Sequence, residues 1–381
     1  MSRRNWLSRS AGLLGALAAL SLLGACSSAP RQPDPTPLQP VPPILHVATA
    51  WTAQVGDVPA TFQLATASGR VFVASRDGEV SCLQASDGKL LWRTHIAGGI
   101  SAAVGSDGSF TAVVDDANRV VSLGPQGQVL WRYQLPASVL TPPAVFGGIV
   151  VVQGADQHVW AFDAASGAMR WNDEFRTPAL LLQKGAGMVL SDGAIVLGDA
   201  TGHLRLLRLS DGSAVWEATL ARPRGTTEVE RLVSITGAPS LAHGVVCARA
   251  YQSAVACVQM ADAHLMWSAR ANGDTAPAQN GSELVATQAD GVIQAYAVSD
   301  GKPLWHNDQL RWRRLSAPLL IGRTVAVGDL QGYVSFLDAS DGRIIGRAST
   351  DGSPIAVPPV LAGNTLVVVS AKGGVYGFVP R

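Results

Sequence analysis

The sequence predicts an all-β protein, an eight-bladed β-propeller of four-stranded antiparallel blades. Three observations predict this fold. Tryptophan recurs at intervals of 38–51 residues, a glycine in most repeats lies four residues before the tryptophan position, and Asp-Gly turns divide the repeats into short apolar strands. A period near 40 residues with four strands per unit is typical of propeller blades. No helical periodicity follows Ala25, so we expect no helix in the folded part.

Tryptophan sets the register of the repeat. Successive intervals are 41, 39, 40, 45, 51 and 38 residues, and the series is Trp51, Trp92, Trp131, Trp171, Trp216, Trp267 and Trp305. Counting 41 residues on from Trp305 reaches Gly346, where the surrounding pattern persists without a tryptophan. These positions define eight units. Trp160 and Trp312 fall outside the register, and the repeat assigns them no role.

Each unit divides into strands at its turns. In Leu284–Trp305, two Asp-Gly turns separate three apolar runs, and Asp-Gly pairs supply the positive φ angles that hairpin turns require. A further strand precedes each unit. The first unit contributes one strand, from His46 to Val55, and the last contributes three, from about Ile355 to Val379. We therefore expect the N-terminal strand to complete the last blade, which removes two open sheet edges.

The blade pattern resembles the pyrroloquinoline-quinone (PQQ) type repeat. The resemblance is clearest in FDAASGAMRW at Phe162–Trp171 and in LDASDGRIIG at Leu337–Gly346. In that family the tryptophan docks between neighbouring blades. The resemblance therefore implies a structural role for all seven tryptophans of the series.

The same resemblance raises the alternative of a PQQ-dependent periplasmic dehydrogenase. Those enzymes carry, as a family, an adjacent Cys-Cys pair beside the quinone, and a calcium-binding carboxylate cluster. None of the four cysteines here is adjacent to another, and the recurring aspartates occupy turn positions, where aspartate ordinarily caps the turn. Nucleophile-elbow, phosphate-loop and His-Glu-x-x-His motifs are also absent. We predict a protein that is not an enzyme, with no catalytic residue, cofactor or metal.

The first residues read as an export signal that ends at a lipidation site. Three arginines precede an apolar stretch of 15 residues, Ala11–Ala25, which is short for a membrane span and typical of a signal peptide. Leu23-Gly24-Ala25-Cys26 resembles a bacterial lipobox, which implies cleavage before Cys26 and its lipidation. Ser27, rather than aspartate, follows the cysteine and indicates the outer membrane. An ordinary signal peptide followed by an incidental cysteine is the alternative.

The region between the signal and the propeller reads as a tether. Seven prolines occupy the 17 residues of Ser27–Pro43, a composition that forms neither helix nor sheet and stays extended. We predict a signal peptide at residues 1–25, a lipidated cysteine with a proline-rich tether at 26–43, and the propeller at 44–381. Loss of the signal changes the formal charge from +1 to −2, and this near-neutral balance argues against nucleic acid as a partner.

Cys247 and Cys257 flank a hairpin centred on Gln252. Opposite positions on paired strands can satisfy disulfide geometry, and export places the protein in an oxidising compartment. The alternative is two small buried apolar side chains, and the sequence leaves both open. Cys82 has no obvious partner and is expected to be buried.

The whole chain, from lipobox to last blade, resembles the BamB family, lipoprotein scaffolds of the outer-membrane β-barrel assembly (BAM) machinery. The most specific match is GTTEVERL at Gly225–Leu232, in the longest interval between tryptophans. The resemblance implies a non-enzymatic subunit that binds the periplasmic domains of BamA and joins the other BAM subunits. Unfolded outer-membrane proteins are a further expected partner, through β-augmentation at exposed strand edges. A generic periplasmic propeller that binds another ligand remains an alternative.

Two segments carry the expected contact with BamA. In ALLLQK, Ala179–Lys184, Leu180 and Leu182 match an alternating leucine pair of the family, whereas Gln183 stands where arginine is common. The second segment follows the GTTEVERL match, and here Ser234 and Thr236 replace residues that are commonly acidic. These departures leave the leucines as the stronger part of the expected contact.

Each segment also has a purely structural interpretation. Leu180 and Leu182 could belong to an inner strand covered by its neighbours, rather than to an apolar contact for a partner. Glu228, Glu230 and Arg231 could hold their own long loop through internal ion pairs, rather than meet a partner. The sequence alone does not decide between these roles for the charged residues.

Overall fold

The computed structural model describes residues 33–41, 44–175, 180–182, 185–191, 193–355 and 357–381. Over these residues the chain forms 32 β-strands and no helix. The strands make eight four-stranded antiparallel sheets, each a run of neighbours in sequence except the one that joins the two ends of the chain. The predicted eight-bladed β-propeller is confirmed. The predicted signal peptide and Cys26 lie outside the described residues.

The strands are numbered in chain order, and four make one blade. Blades 1–4 contain β2 to β17: Ala65–Ala67, Arg70–Ala74, Glu79–Gln84, Leu90–His95; Ile100–Ser106, Thr111–Asp115, Arg119–Leu123, Val129–Gln134; Ala144–Phe146, Ile149–Gln153, His158–Asp163, Met169–Glu174; Met188–Ser191, Ala194–Gly198, His203–Arg208, Ala214–Thr219. Blades 5–7 contain β18 to β29: Ile235–Ala242, Val245–Ala250, Ala254–Gln259, Leu265–Arg270; Ala278–Gln279, Glu283–Thr287, Ile293–Ala297, Pro303–Asn307; Leu319–Ile321, Thr324–Gly328, Tyr333–Asp338, Ile344–Ser349. Blade 8 contains β30 to β32 and β1: Val360–Ala362, Thr365–Val369, Gly374–Pro380, Val47–Gln54.

Blade 8 closes the ring. Its sheet order is β1-β32-β31-β30, and β1 pairs antiparallel with β32 from Val47 opposite Pro380 to Gln54 opposite Gly374. The first strand of the chain is thus the outermost strand of the last blade, as the strand count predicted. The second strand of each blade is almost wholly buried, because neighbouring blades cover both faces of the sheet.

The tryptophan of each repeat lies between two blades. Six indole N–H groups donate to a backbone carbonyl in the next repeat at 2.5–2.9 Å: Trp51 to Ala85, Trp131 to Ala164, Trp171 to Leu209, Trp216 to Met260, Trp267 to Val298 and Trp305 to Ala339. The glycine that precedes the next tryptophan by four residues lies against the indole. A Cβ on Gly167, for example, would stand 2.8 Å from Trp131, so the position has no room for a side chain.

Trp92 is the exception. Its indole N–H is buried without a hydrogen-bond partner among the described residues. The facing turn, Gly124-Pro125-Gln126-Gly127, is one residue shorter than its counterparts, and the Gly124 carbonyl already accepts the Gly127 N–H at 2.9 Å. In the other blades this glycine bonds one residue further back, for example Gly167 to Asp163. The facing turn therefore differs in length at the place where the other repeats supply the acceptor carbonyl, for example Ala164 O for Trp131.

The missing tryptophan of the eighth unit has a structural reason. A Cβ on Gly346 would stand 2.7 Å from the Leu45 carbonyl oxygen, and the N–H groups of Ile44 and Leu45 both donate to Ile345 O, at 3.0 and 2.9 Å. The N-terminal segment therefore occupies the place of the indole. The compact unit begins at Thr36, so residues 36–41 of the predicted tether pack on the propeller.

Cys247 and Cys257 lie directly opposite each other on β19 and β20 and are joined by a disulfide. Cys82 is a buried free thiol, and burial raises its pKa to about 11. A buried thiol with so high a pKa is not a nucleophile at neutral pH.

Candidate protein-interaction face

One face of the propeller carries every loop from one blade to the next. Strand direction alternates within a blade, so these loops share a face with the hairpin between the second and third strands. We call it the connection face, and name its loops after the blades they join. Connection 3–4 spans residues 175–187, connection 4–5 spans 220–234 and connection 6–7 spans 308–318. The first two contain the segments that the sequence marked for partner binding.

Connection 4–5 is fixed from within by a capping box. The Glu230 carboxylate accepts the N–H groups of Thr226 and Thr227 at 2.9 and 3.1 Å, and the Glu230 N–H donates to Thr227 Oγ1 at 3.3 Å. This reciprocal pattern is the device that starts helices, and here it closes a single turn, with Arg231 N–H donating to Thr227 O at 3.2 Å. The backbone N–H groups hold the pKa of Glu230 below its usual range. Glu230 therefore stabilises its own loop.

The apex of connection 4–5 presents an apolar side chain between two charges. Val229 is 70% exposed, the highest value among the exposed large apolar residues of the described chain. Glu228 and Arg231 flank it as an exposed ion pair at 3.7 Å, a pair of this kind contributing little to stability. Val229 was not among the residues predicted to bind a partner, although it lies between an acid and the capping glutamate.

An open groove separates this loop from blade 5. Its volume is about 710 Å³, and Val229, Glu230 and Leu232 line one side. Tyr251, Gln252 and Arg270 line the other. The mixed apolar and polar lining is of the kind found at the rim of protein interfaces.

Connection 3–4 places Leu180 and Leu182 differently. Leu180 is 38% exposed, whereas Leu182 is half-buried and lines a small cavity of about 30 Å³ beside Thr141 and Ile235. Neither leucine belongs to a strand. Of the pair, Leu180 is the one that can reach a partner. Gln183 lies outside the described residues.

Ser234 and Thr236 require a correction, because both are buried rather than surface residues. Ser234 is 4% exposed and its hydroxyl donates to Ala200 O at 3.3 Å. Thr236 is fully buried and lies opposite Arg249 in the β18–β19 ladder. Their side chains support the base of connection 4–5 and do not form part of a contact surface.

Among the described residues, no group of three or more histidine, cysteine, aspartate or glutamate side chains is placed to hold a metal ion. No helix within the described ranges is long and apolar enough to cross a membrane. The connection face presents two loops with exposed apolar side chains, Leu180 and Val229, an arrangement suited to binding a protein.

A family profile described as "Outer membrane protein assembly factor BamB" matches residues 48–104, 95–307 and 289–379. The chain belongs to the BamB family. A relative of that name from Burkholderia pseudomallei (strain K96243) is 39% identical over 99% of this chain and 100% of its own length. Another, from Bordetella pertussis (strain Tohama I), is 34% identical over 97% and 96%. These BamB relatives are named as assembly factors, not as enzymes.

Solved structures agree with the family on the fold. BamB from Moraxella catarrhalis superposes with a TM-score of 0.77 at 25% identity, covering 86% of this chain and 99% of its own. The quinohemoprotein alcohol dehydrogenase from Comamonas testosteroni reaches a TM-score of 0.64 at 12% identity, covering 88% of this chain and 77% of its own. At that identity the second likeness shows the propeller fold alone, because one fold serves many functions.

Proposed function

We propose that this chain is a non-enzymatic scaffold of the machinery that assembles outer-membrane β-barrel proteins, and that it binds the periplasmic domains of BamA. Membership of the BamB family supports the proposed role in outer-membrane protein assembly. The contact rests on one observation: Leu180 and Val229 are exposed apolar side chains on connections 3–4 and 4–5, the loops on either side of blade 4. Other BAM subunits and unfolded outer-membrane proteins are its further partners.

The chain is proposed to be lipid-anchored at Cys26, on the periplasmic side of the outer membrane. The lipobox and the basic, apolar leader of residues 1–25 support this. Several acyl chains on one cysteine provide stable anchoring, which a single chain does not. The anchor keeps the protein near a membrane-embedded partner.

The contact is proposed to consist of an apolar centre with a charged rim. Val229 and Leu180 supply the centre, and Glu228 and Arg231 supply the rim beside Val229. Apolar residues near the middle of an interface contribute most of its binding energy, and rim charges mainly set specificity and association rate. Glu230 acts indirectly by holding Val229 in place through its hydrogen bonds to Thr226 and Thr227.

Co-purification from solubilised outer membranes tests this proposal. The tagged wild-type protein should recover BamA, and Leu180→Asp with Val229→Asp should lower the recovery at least tenfold. Val215→Asp is the matched control, because Val215 is an exposed apolar residue of blade 4 on its outermost strand, β17. Failure of the wild type to recover BamA would refute the proposal, and equal recovery by all three proteins would refute the contact residues.

A further inference from the structure

Trp312 stands outside the repeat and has no place in the proposed contact with BamA. It lies in connection 6–7, is 37% exposed, and has a φ of +61°. A left-handed backbone is uncommon for a residue other than glycine and unfavourable for a bulky one. Two exposed arginines lie close to Trp312 in the chain, Arg311 before it and Arg314 two residues after it. Arg314 also has a positive φ of +47°.

The surrounding contacts hold Trp312 outward. The backbone N–H of Trp312 donates to the Asp290 carbonyl at 2.8 Å. The next residue, Arg313, is fully buried: its Nε donates to Asp329 at 2.7 Å and its Nη2 to Gln331 at 2.6 Å. The Arg313 carbonyl accepts the Leu330 N–H at 3.0 Å. Residues held in sparsely populated backbone regions persist only where neighbours enforce them, and they concentrate at functional sites.

The N-terminal segment joins the propeller at this same loop. The Thr36 N–H donates to the Arg311 carbonyl at 3.0 Å, and the Thr36 carbonyl accepts Arg313 Nη1 at 3.0 Å. Leu38 packs against the core cluster that contains Leu310 and Leu315. The chain that leads back to Cys26 therefore starts beside Trp312.

The length of that chain limits how far the loop can lie from the lipid. Thr36 is ten residue steps along the chain from Cys26, and an extended chain spans at most about 3.3–3.6 Å per residue, or roughly 35 Å in all. An anchored group searches a small volume, so its effective concentration at the membrane surface is high and a weak contact suffices.

We propose that Trp312, with Arg311 and Arg314, is a second membrane contact that inserts into the phospholipid headgroup layer beside the lipid anchor. This inference rests on the proposed lipidation of Cys26. Tryptophan favours the membrane–water interface, where its ring is half in apolar surroundings and its N–H is in water. Arginine side chains pair with lipid phosphates. Arg311 is also 3.4 Å from the Asp290 carboxylate, so Trp312 carries most of the contact.

The contact would orient the propeller. Connection 6–7 lies on the connection face, as do the proposed BamA-binding loops. Contact of Trp312 with the headgroups would turn that face, rather than the rim of the propeller, toward the membrane.

Quenching by brominated lipid tests this contact. The mature lipidated chain is reconstituted into phosphatidylethanolamine–phosphatidylglycerol vesicles, with and without bromine on the upper acyl carbons, and tryptophan fluorescence is recorded. Nine tryptophans remain after loss of the signal peptide, so bromine should lower the wild-type emission by roughly one-ninth. Trp312→Leu should lose this bromine effect. Trp160→Phe is the matched control, since Trp160 is also outside the register but buried, and it should retain the effect.

Flotation of the same vesicles tests the lipid anchor separately from the Trp312 contact. Protein that floats without a bromine effect would overturn the Trp312 contact and leave the anchor standing. Protein that does not float would refute the anchor and, with it, this inference. A bromine effect that persists in Trp312→Leu would place a different tryptophan in the membrane and would also overturn the proposal.

Discussion

Connection 6–7 contains a buried arginine, connection 4–5 is followed by one, and the two arginines differ in their partners. Arg313, within connection 6–7, has the Asp329 carboxylate at 2.7 Å, Gln331 at 2.6 Å and the Thr36 carbonyl at 3.0 Å. Arg249 follows connection 4–5 in blade 5, and its Nη2 donates to Thr287 O at 3.0 Å. Its Nε and Nη1 have no hydrogen-bond partner among the described residues.

The two loops therefore differ in whether the buried arginine associated with them is fully hydrogen-bonded. Burial lowers the pKa of Arg249 to about 10, with Tyr296 and Asp274 partly offsetting the effect, so it remains charged at neutral pH. A buried charge whose N–H groups lack hydrogen-bond partners is costly, whereas a fully hydrogen-bonded pair is tolerated. The hydrogen bonds of Arg313 therefore help to hold connection 6–7, whereas connection 4–5 is held chiefly by its own capping box.

The largest expected effect on stability comes from removing Arg313 from its buried pair with Asp329. Arg313→Met should lower the free energy of unfolding by about 3–5 kcal/mol, because it leaves the Asp329 carboxylate buried without its partner. Urea denaturation measures it. Arg311→Met, two residues away in an exposed pair with Asp290, is the control and should cost less than about 1 kcal/mol. Equal losses in the two variants would mean that burial does not distinguish these pairs.

A smaller effect on stability should come from giving Arg249 the hydrogen-bond acceptor that it lacks. Thr236 lies opposite Arg249 on the neighbouring strand, and directly opposite side chains stand about 4.5–5.5 Å apart at Cβ. Thr236→Asp should raise the unfolding free energy by about 1–3 kcal/mol through charge-assisted hydrogen bonds. Thr236→Val, which adds no acceptor, should show no such gain in the same urea titration. A destabilised Asp variant would contradict this account of Arg249.

A local effect should follow from opening the capping box. Glu230→Ala removes the acceptor for the N–H groups of Thr226 and Thr227, so connection 4–5 should be cleaved several-fold faster by trypsin at Arg224 and Arg231. Glu228→Ala removes only the exposed pair with Arg231 and is the matched control. If both variants are cleaved at the wild-type rate, Glu230 does not hold the loop.

The smallest effect is a dependence of the same loop on pH. Hydrogen bonds lower the folded-state pKa of Glu230 below its ordinary value of 4.5, so its contribution is complete above pH 4.5 and is lost as the pH falls through the lowered pKa. Amide-exchange protection factors of Thr226 and Thr227 should be constant from pH 7 to 5 and decrease below pH 4.5. Glu230→Gln should lack this decrease, and a wild type without it would contradict the assignment.

The fold was predictable because its determinants are local and repeated. Each tryptophan and its glycine recur at nearly fixed spacing, and glycine is needed where the indole of the neighbouring repeat leaves no room for a Cβ. The closure followed from counting strands at the two ends. The loss of tryptophan at position 346 was visible in the sequence, but its cause, the Leu45 carbonyl, belongs to a segment 301 residues away.

The site was less predictable because exposure depends on tertiary packing. Leu180 and Leu182 look alike in sequence, yet one is exposed and the other lines a cavity. Ser234 and Thr236 are polar and follow a loop, but neighbouring blades bury them. Val229 could have been suspected, since it is one of the two residues inside the capping pattern Thr227-x-x-Glu230, and both are exposed.

Photo-crosslinking in intact cells tests the proposed contact with BamA most directly. A photoreactive amino acid is placed at position 180, 229 or 215, one position per protein. We expect adducts containing BamA from positions 180 and 229 and none from position 215, which lies on the outermost strand of blade 4. BamA adducts from position 215 alone, or from none of the three in cells where the protein co-purifies with BamA, would contradict it.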